Sequence, residues 1–239
     1  MTSESGEKWL LASFKPVTLF SLRMSIATSS AAKTLLVPTP YAVKLALVDA
    51  AFRADGETFA RRILDSIKSA EVRLRPPEHA VVTNTFVKVR RQPKEPSPEE
   101  PYISSIAFRE FCFYLGTLEV AICVTSLSLE EIQNVVQALR HINYLGKRGS
   151  FFQFVGAWHE TRLPSGFTAP MPGSVPDVSC YQVTQFLDEL VETDSADLFE
   201  RINTYSTKAI GKHRTVKPYL LPYKVKSSSK AYTHYMRMV

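Results

Sequence analysis

The feature that most restricts the fold is a pair of alternating stretches around a proline-rich decapeptide, between residues 80 and 115. In "AVVTNTFVKVRR", Val87 and Val89 point to one side of a strand, while Lys88 and Arg90 point to the other. "QPKEPSPEEP" contains four prolines and predicts a mobile loop tip, and "YISSIAFREFCFYL" returns as a second strand. The pattern therefore predicts a long β-hairpin. Its basic edge, which could equally be a solvated strand face, consists of Lys88, Arg90, Arg91 and Arg109.

Helices are predicted on both sides of this hairpin. "VPTPYAVKLALVDAAF" places prolines just before and in a first helical turn, and then gives an apolar helix over 41–52. The following Asp-Gly pair breaks that helix before a second amphipathic helix begins. "SLEEIQNVVQALRHI" predicts another helix over 128–141, where Ser128 and Glu131 have the spacing of a capping box.

The order of the elements predicts the fold class. "WLLASF" reads as a buried first strand, "TLEVAICVTSL" alternates as a half-buried strand, and "SFFQFVGAWHE" forms the last core strand. We expect an α+β protein with a ferredoxin-like (RRM-type) core over 1–160, into which the hairpin of about 80–115 is inserted. Residues 161–239 form a C-terminal extension that is basic after Glu200 and packs on the core.

Charge is segregated along the chain. The net charge is +6, but nine lysines and arginines and no acid follow Glu200, so this tail carries +9 and the remainder −3. A segregated basic tract favours a polyanion partner, most often nucleic acid, although a solvated tail would have the same composition. In the tail, "GKHR" supplies Lys212, His213 and Arg214 as candidate RNA contacts.

Several classes of protein are disfavoured by what the sequence contains. Its three cysteines are widely spaced, so we expect reduced thiols and no zinc site. The polar start "MTSESGEKW" differs from a signal peptide, and no apolar run is long enough to span a membrane. The sequence therefore predicts a cytoplasmic protein without metal or cofactor.

The segment "YLGKRGSFFQF" is the strongest local candidate for a binding site. Gly146 and Gly149 permit positive φ angles and close approach of a ligand to the backbone, and Lys147 and Arg148 supply charge for phosphates. The aromatic residues around them could stack on unpaired bases. A simple basic turn, with phenylalanines that belong to the core, is the alternative interpretation.

Four stretches resemble one protein family, in the same order along roughly residues 9–156. They are "SFKPVTLFSLR", "VPTPYAVKLALVDAAF", "IAFREFCFYLGTLEVAICV" and "ALRHINYLGKRGSFFQF". These stretches resemble CRISPR-associated RAMP proteins, and specifically the Cas-five subunits of type I Cascade complexes. In the same order, they resemble that family's first strand with its Arg-bearing segment, the proline-rich start of its first helix, the returning arm of its thumb hairpin, and its glycine-basic loop. Lys44 stands near a position where the family often has glycine, and the three phenylalanines after the loop depart from its pattern.

The resemblance implies a non-catalytic subunit that binds and caps the 5′ handle of crRNA. Such a subunit bridges the Cascade backbone subunit and the large subunit, and it meets target DNA only indirectly, because guide pairing reads the target sequence. The RNA contacts carried over by the resemblance are Arg23, Thr39, Tyr41, Lys44, Gly146, Lys147, Arg148 and Gly149, with Lys88, Arg90 and Arg109 on the thumb.

Three alternatives remain open from the sequence. A metal-independent endoribonuclease that processes precursor crRNA could use His141, Tyr144 and Lys147, which lie close in sequence. His141 is equally explained as a residue that stabilises the end of a helix. An RRM-like RNA-binding module unrelated to CRISPR would share the basic surface, and a structural adaptor without RNA contacts would share the apolar hairpin.

Overall fold

The computed structural model of this chain describes residues 6–27, 33–95, 97–98, 101–171, 173, 178–191, 195–203 and 206–238. Its strands are β1 (Trp9–Pro16), β2 (Val72–Arg75), β3 (His79–Arg91), β4 (Ile103–Leu115), β5 (Leu118–Cys123), β6 (Phe152–Glu160), β7 (Ala169–Pro170), β8 (Val183–Leu190), β9 (Arg214–Leu221), β10 (Tyr223–Ser228) and β11 (Tyr232–Arg237). Its helices are α1 (Pro40–Ile67), α2 (Leu129–Arg140) and α3 (Ser195–Ile202), with short 3-10 turns at Val178–Cys180 and Gly211–His213. None of the helices among these residues is long and apolar enough to cross a membrane.

The first sheet has the order β2-β5-β1-β6, and every neighbouring pair in it is antiparallel. The side chains of the central strand β1 alternate between the two faces of this sheet. Leu10 and Phe14 belong to the large core that also contains the apolar sides of α1 and α2, whereas Leu11 packs with Phe167 on the opposite face. The chain is thus a mixed α/β protein built on antiparallel sheets.

Local sequence signals explain both long helices. The Thr39 side chain caps α1 by accepting a hydrogen bond from the backbone N–H of Ala42 (3.1 Å), and Pro40 occupies its first turn. The predicted break is confirmed, because Asp55 and Gly56 have non-helical angles where two helical segments join. The predicted capping box of α2 is also confirmed.

Strands β3 and β4 form a hairpin paired from His79–Leu115 to Arg91–Ile103. Near its base, residues such as Val82 and Cys112 are buried, whereas Phe86 and Ile106 further along are 73% and 78% exposed. The core therefore holds only the base of the hairpin, and the distal half projects from it. Part of the predicted mobile tip, at positions 96, 99 and 100, lies outside the described residues.

Among the described residues, the C-terminal part contributes five strands whose bounds and pairing were not predicted from the sequence. Strands β10 and β11 extend the hairpin into a sheet of order β10-β11-β3-β4, while β7, β9 and β8 form a third sheet. Strand β8 packs against α1, and Leu187, Leu221 and Tyr223 are buried in the same core as the helices. This part of the chain thereby forms one wall of a cleft beside the first half of α1.

Candidate functional site

A cleft of about 520 Å³ opens where five parts of the chain meet. Its walls come from the segment after β1, the first half of α1, the loop between α2 and β6, the end of α3, and one position on each of β8 and β9. The volume lies within the range typical of ligand pockets. The cleft brings together seven of the predicted RNA-binding residues, namely Arg23, Thr39, Tyr41, Gly146, Lys147, Arg148 and Arg214.

The glycine loop (residues 144–151) is a closed turn. The backbone N–H of Leu145 donates to the carbonyl of Ser150 (3.2 Å), and the N–H of Ser150 donates to the carbonyl of Lys147 (3.0 Å). Gly146 and Gly149 have φ angles of 78° and 97°, which favour glycine. A Cβ on Gly146 would lie 2.9 Å from Leu22 Cδ2, so the loop presses against the segment that carries Arg23.

Positive charge accumulates at this side of the cleft. Lys147 and Arg148 are exposed on the turn, and Arg23 is exposed on the segment against which the turn packs. Within the part of the chain that the structure describes, none of these three side chains takes part in an ion pair. Partial burial lowers the pKa of the Lys147 ammonium, and the nearby Arg109 guanidinium lowers it further. Such a cluster of uncompensated cations attracts anions.

Arg109 connects the hairpin to the glycine loop. It lies on β4 and is close enough to Lys147 for the two positive charges to interact. Its Nε atom is buried, and no acceptor among the described residues bonds to it. The charge of Arg109 thus adds to the positive potential at Lys147, which favours an anion there.

The opposite wall of the cleft is organised differently. The Arg214 guanidinium donates to Asp188 Oδ2 (2.6 Å), and the Ser25 hydroxyl donates to Asp188 Oδ1. Arg214 also lies over the ring of Tyr41, with 4.8 Å between Cζ and the ring centroid. Burial raises the pKa of Tyr41, and the charge of Arg214 opposes that rise. The charge of Arg214 is therefore compensated, and its position is fixed by contacts on several sides.

Several predicted contacts lie away from the cleft. Lys44 is only 2% exposed, and its ammonium donates to the carbonyl of Lys68 (2.8 Å), because position 44 faces the inner side of α1. This geometry directs Lys44 into the protein rather than towards a ligand. Lys88 and Arg90 are exposed on the distal hairpin, outside the cleft lining. His213 is 4% exposed, and the side chain of Lys212 lies outside the described part of the structure.

The residues considered for nuclease chemistry are only partly brought together. Tyr144 and Lys147 line the cleft, whereas His141 is the exposed residue that ends α2 and is not part of the lining. Its carbonyl accepts a hydrogen bond from Arg53 (3.0 Å). Among the described residues, no group of three or more His, Cys, Asp or Glu side chains is arranged to hold a metal ion.

Our reading of the sequence missed Asp188, Phe199 and Asn203, which also line the cleft. Asp188 lies on β8 in "VTQFLDEL", where alternation could have indicated a strand. Its pairing with Arg214 depends on the register between β8 and β9, in which Asp188 opposes Val216. That long-range pairing has no local signal in the sequence.

A comparison with solved structures shows which of them are similar to this chain in fold. The fold matches that of a CRISPR protein from Archaeoglobus fulgidus with a TM-score of 0.51 and 12% identity, over 97% of this chain and 92% of the other. A chain of a CRISPR RNA-guided surveillance complex aligns with a TM-score of 0.43 and 14% identity, over 88% of each chain. No sequence profile of a known protein family matches.

The sequence comparison then identifies the relative. The chain is 21% identical over 231 residues to the CRISPR-associated protein Cas5 of Archaeoglobus fulgidus, covering 93% of this chain and 96% of that protein. The chain is thus a homologue of Cas5, and the resemblance to the Cas-five proteins inferred from four sequence stretches is confirmed.

Proposed function

We propose that this chain is a non-catalytic subunit of a type I CRISPR Cascade complex and binds the 5′ handle of crRNA in the cleft. The observation that carries the proposal is the group of uncompensated cations, Arg23, Lys147 and Arg148, at the mouth of a cleft that also contains tyrosines. Single-stranded RNA is generally bound by this combination of positive charge and aromatic side chains.

Each part of the loop has a role in this proposal. Lys147 and Arg148 bind handle phosphates, and the positive charge of the nearby Arg109 adds to the attraction for an anion at Lys147. The positive φ angles of Gly146 and Gly149 keep the turn narrow, so that the phosphate backbone can approach it.

We further propose that the core is ferredoxin-like and that the β3–β4 hairpin is a thumb. Strands β1, β2, β5 and β6 supply a four-stranded antiparallel sheet in which α1 follows β1 and α2 connects β5 with β6. This arrangement supports two split βαβ units. Lys88 and Arg90 on the projecting hairpin would then contact RNA that leaves the cleft.

The same subunit would bridge the backbone and large subunits of the complex. Exposed apolar side chains along the distal hairpin, including Phe86, Tyr102 and Ile106, support this part of the proposal, because such surfaces mark protein interfaces. Target DNA would be met only through the guide RNA, and the complex would act in the cytoplasm.

Sequencing the RNA that accompanies the protein tests the proposed function. The full chain is expressed with its genomic neighbours and purified, and the bound RNA is extracted. We expect RNAs of one length class that share a fixed 5′ sequence. Heterogeneous RNA would contradict guide-handle binding and favour a general RNA-binding module. Recovery of no RNA would also contradict it and favour an adaptor.

The same preparation tests the non-catalytic part of the proposal. A repeat-hairpin RNA incubated with the protein in EDTA should stay intact. Shortening of that RNA, abolished by His141→Ala, would instead make the chain a metal-independent endoribonuclease.

A further inference from the structure

The cleft has two chemically distinct zones. Arg23, Lys147 and Arg148 are exposed at its rim. Its buried lining is mainly aliphatic and aromatic, with Leu22, Ala46 and Phe199 among the contributing side chains. Phosphate groups suit the rim, but an apolar interior does not compensate their loss of hydration. A ligand that fills both zones must therefore join a charged part to a flat or apolar part.

Arg214 stands in the interior zone and is poorly suited to a phosphate. Its charge is already neutralised by Asp188, a carboxylate with 6% side-chain exposure, at 2.6 Å. A phosphate placed here would meet that carboxylate as a like charge. The Arg214 side chain as a whole is 31% exposed, and its planar guanidinium lies over Tyr41. Planar cations and aromatic rings are the groups on which unpaired bases stack.

We propose that Tyr41 and Arg214 form a stacking platform for one unpaired nucleobase of the bound RNA, while the rim cations hold the adjacent phosphates. Asp188, itself held by Ser25, is a positioning residue that keeps the guanidinium over the ring. This inference rests on the proposed function and assigns the chemistry of its inner site. A nucleobase fits better than a protein side chain, because its apolar faces come linked to the phosphates that the rim requires.

Conservative variants separate stacking from charge. Arg214→Lys keeps the positive charge beside Asp188 but removes the plane, and Tyr41→Leu keeps apolar volume but removes the ring. Lys217→Ala removes an exposed cation from the same strand, β9, away from the cleft, and serves as the matched control. Melting curves of all variants identify any loss of folding before binding is measured.

Binding is measured with the resynthesised 5′ segment of the co-purified RNA, as a series in which each nucleotide in turn is abasic. We expect Arg214→Lys and Tyr41→Leu each to lower affinity by about tenfold, which is the usual scale for one stacked base. The slope of log affinity against log salt should stay unchanged, since no phosphate contact is lost. One abasic position should lower the affinity of the wild-type protein by a similar factor. With RNA that is abasic at that position, wild type and both variants should bind with equal affinity. Asp188→Asn should show the same dependence on that position.

The outcomes distinguish this inference from the proposed function. If the RNA binds but no abasic position removes the affinity difference between wild type and the Tyr41 or Arg214 variants, the platform is overturned and handle binding remains. A reduced salt slope in Arg214→Lys would overturn the platform in the same way. Loss of a protein partner from the purified complex, without any change in RNA affinity, would instead show that the interior receives a side chain of that partner. Failure to recover any RNA would overturn both proposals.

Discussion

Two short segments of this chain both begin with Gly-Lys followed by another basic-type residue, yet they differ in structure. "GKRG" at 146–149 forms an exposed turn whose cations have no carboxylate partner among the described residues, whereas "GKHR" at 211–214 begins as a 3-10 turn at an exposed glycine and then enters the interior. There, His213 is 4% exposed, and Arg214 pairs with Asp188. We therefore expect burial and an opposed carboxylate to decide whether a basic segment attracts an anion or stabilises the fold.

The largest expected effect concerns the compensated segment. Asp188→Ala leaves Arg214 without its partner, and we expect it to lower the free energy of unfolding by about 2–3 kcal/mol, less than for a fully buried pair because Arg214 is partly exposed. Arg148→Ala, on the exposed turn, should stay within about 0.5 kcal/mol of wild type. Urea denaturation measures both, and equal destabilisation would remove the distinction between the two segments.

The second prediction concerns RNA affinity. Lys147→Ala with Arg148→Ala should weaken RNA binding by about tenfold to a hundredfold, because two charge-assisted phosphate contacts are lost. The salt slope should fall by roughly 0.7 for each contact. Fluorescence anisotropy at several salt concentrations measures both quantities. Lys217→Ala with Lys226→Ala removes the same charge from exposed strand positions and controls for a general effect of net charge. Unchanged binding by the loop variant, with an unchanged melting curve, would remove the loop from the site.

The glycines that open the two segments should also differ. Gly146→Ala introduces a residue at φ 78° and places its Cβ against Leu22, so we expect a loss of about 1–3 kcal/mol in stability. Gly211 has φ 54° and open space around it, so Gly211→Ala should cost only about 1 kcal/mol. Thermal unfolding compares the two variants. A larger loss of stability in Gly211→Ala would mean that the GKHR segment, rather than the glycine loop, needs a glycine packed closely against its neighbours.

The smallest effect is a pH dependence that only the exposed segment should show. RNA phosphates favour protonated Lys147, so the contribution of Lys147 is complete below its pKa in the free protein and declines as pH rises through it. Burial and Arg109 lower that pKa, which places the decline at a lower pH than for an ordinary lysine. RNA affinity measured against pH should show this decline, and Arg109→Gln should move the decline to higher pH. If Lys147→Ala leaves the decline unchanged, another group causes it.

The sequence predicted the elements whose signals are local. The capping box at Ser128, the helix break at Asp55 and Gly56, and the alternation before and after the proline-rich tip each occupy one short stretch. The exposed loop could also be identified, because glycines beside basic residues describe a turn that presents charge. Such features depend on neighbours along the chain rather than on distant contacts.

What the sequence could not give is the set of long-range pairings. The resemblance implied that Lys44 contacts RNA, yet its position on α1 directs its ammonium to the carbonyl of Lys68. Arg214 looked like a free tail cation, yet strand β9 places it against Asp188 and Tyr41. Both outcomes depend on which elements pack together, and no local pattern encodes that choice.

Photo-crosslinking of the co-purified RNA tests the central claim most directly. After ultraviolet irradiation and nuclease digestion, mass spectrometry locates the residues that carry a nucleotide. The account predicts crosslinks at Tyr41 and Tyr144, which line the cleft, and at the glycine loop. Crosslinks confined to β10 and β11, with none from the cleft, would contradict it and would move the RNA site to the basic C-terminal strands.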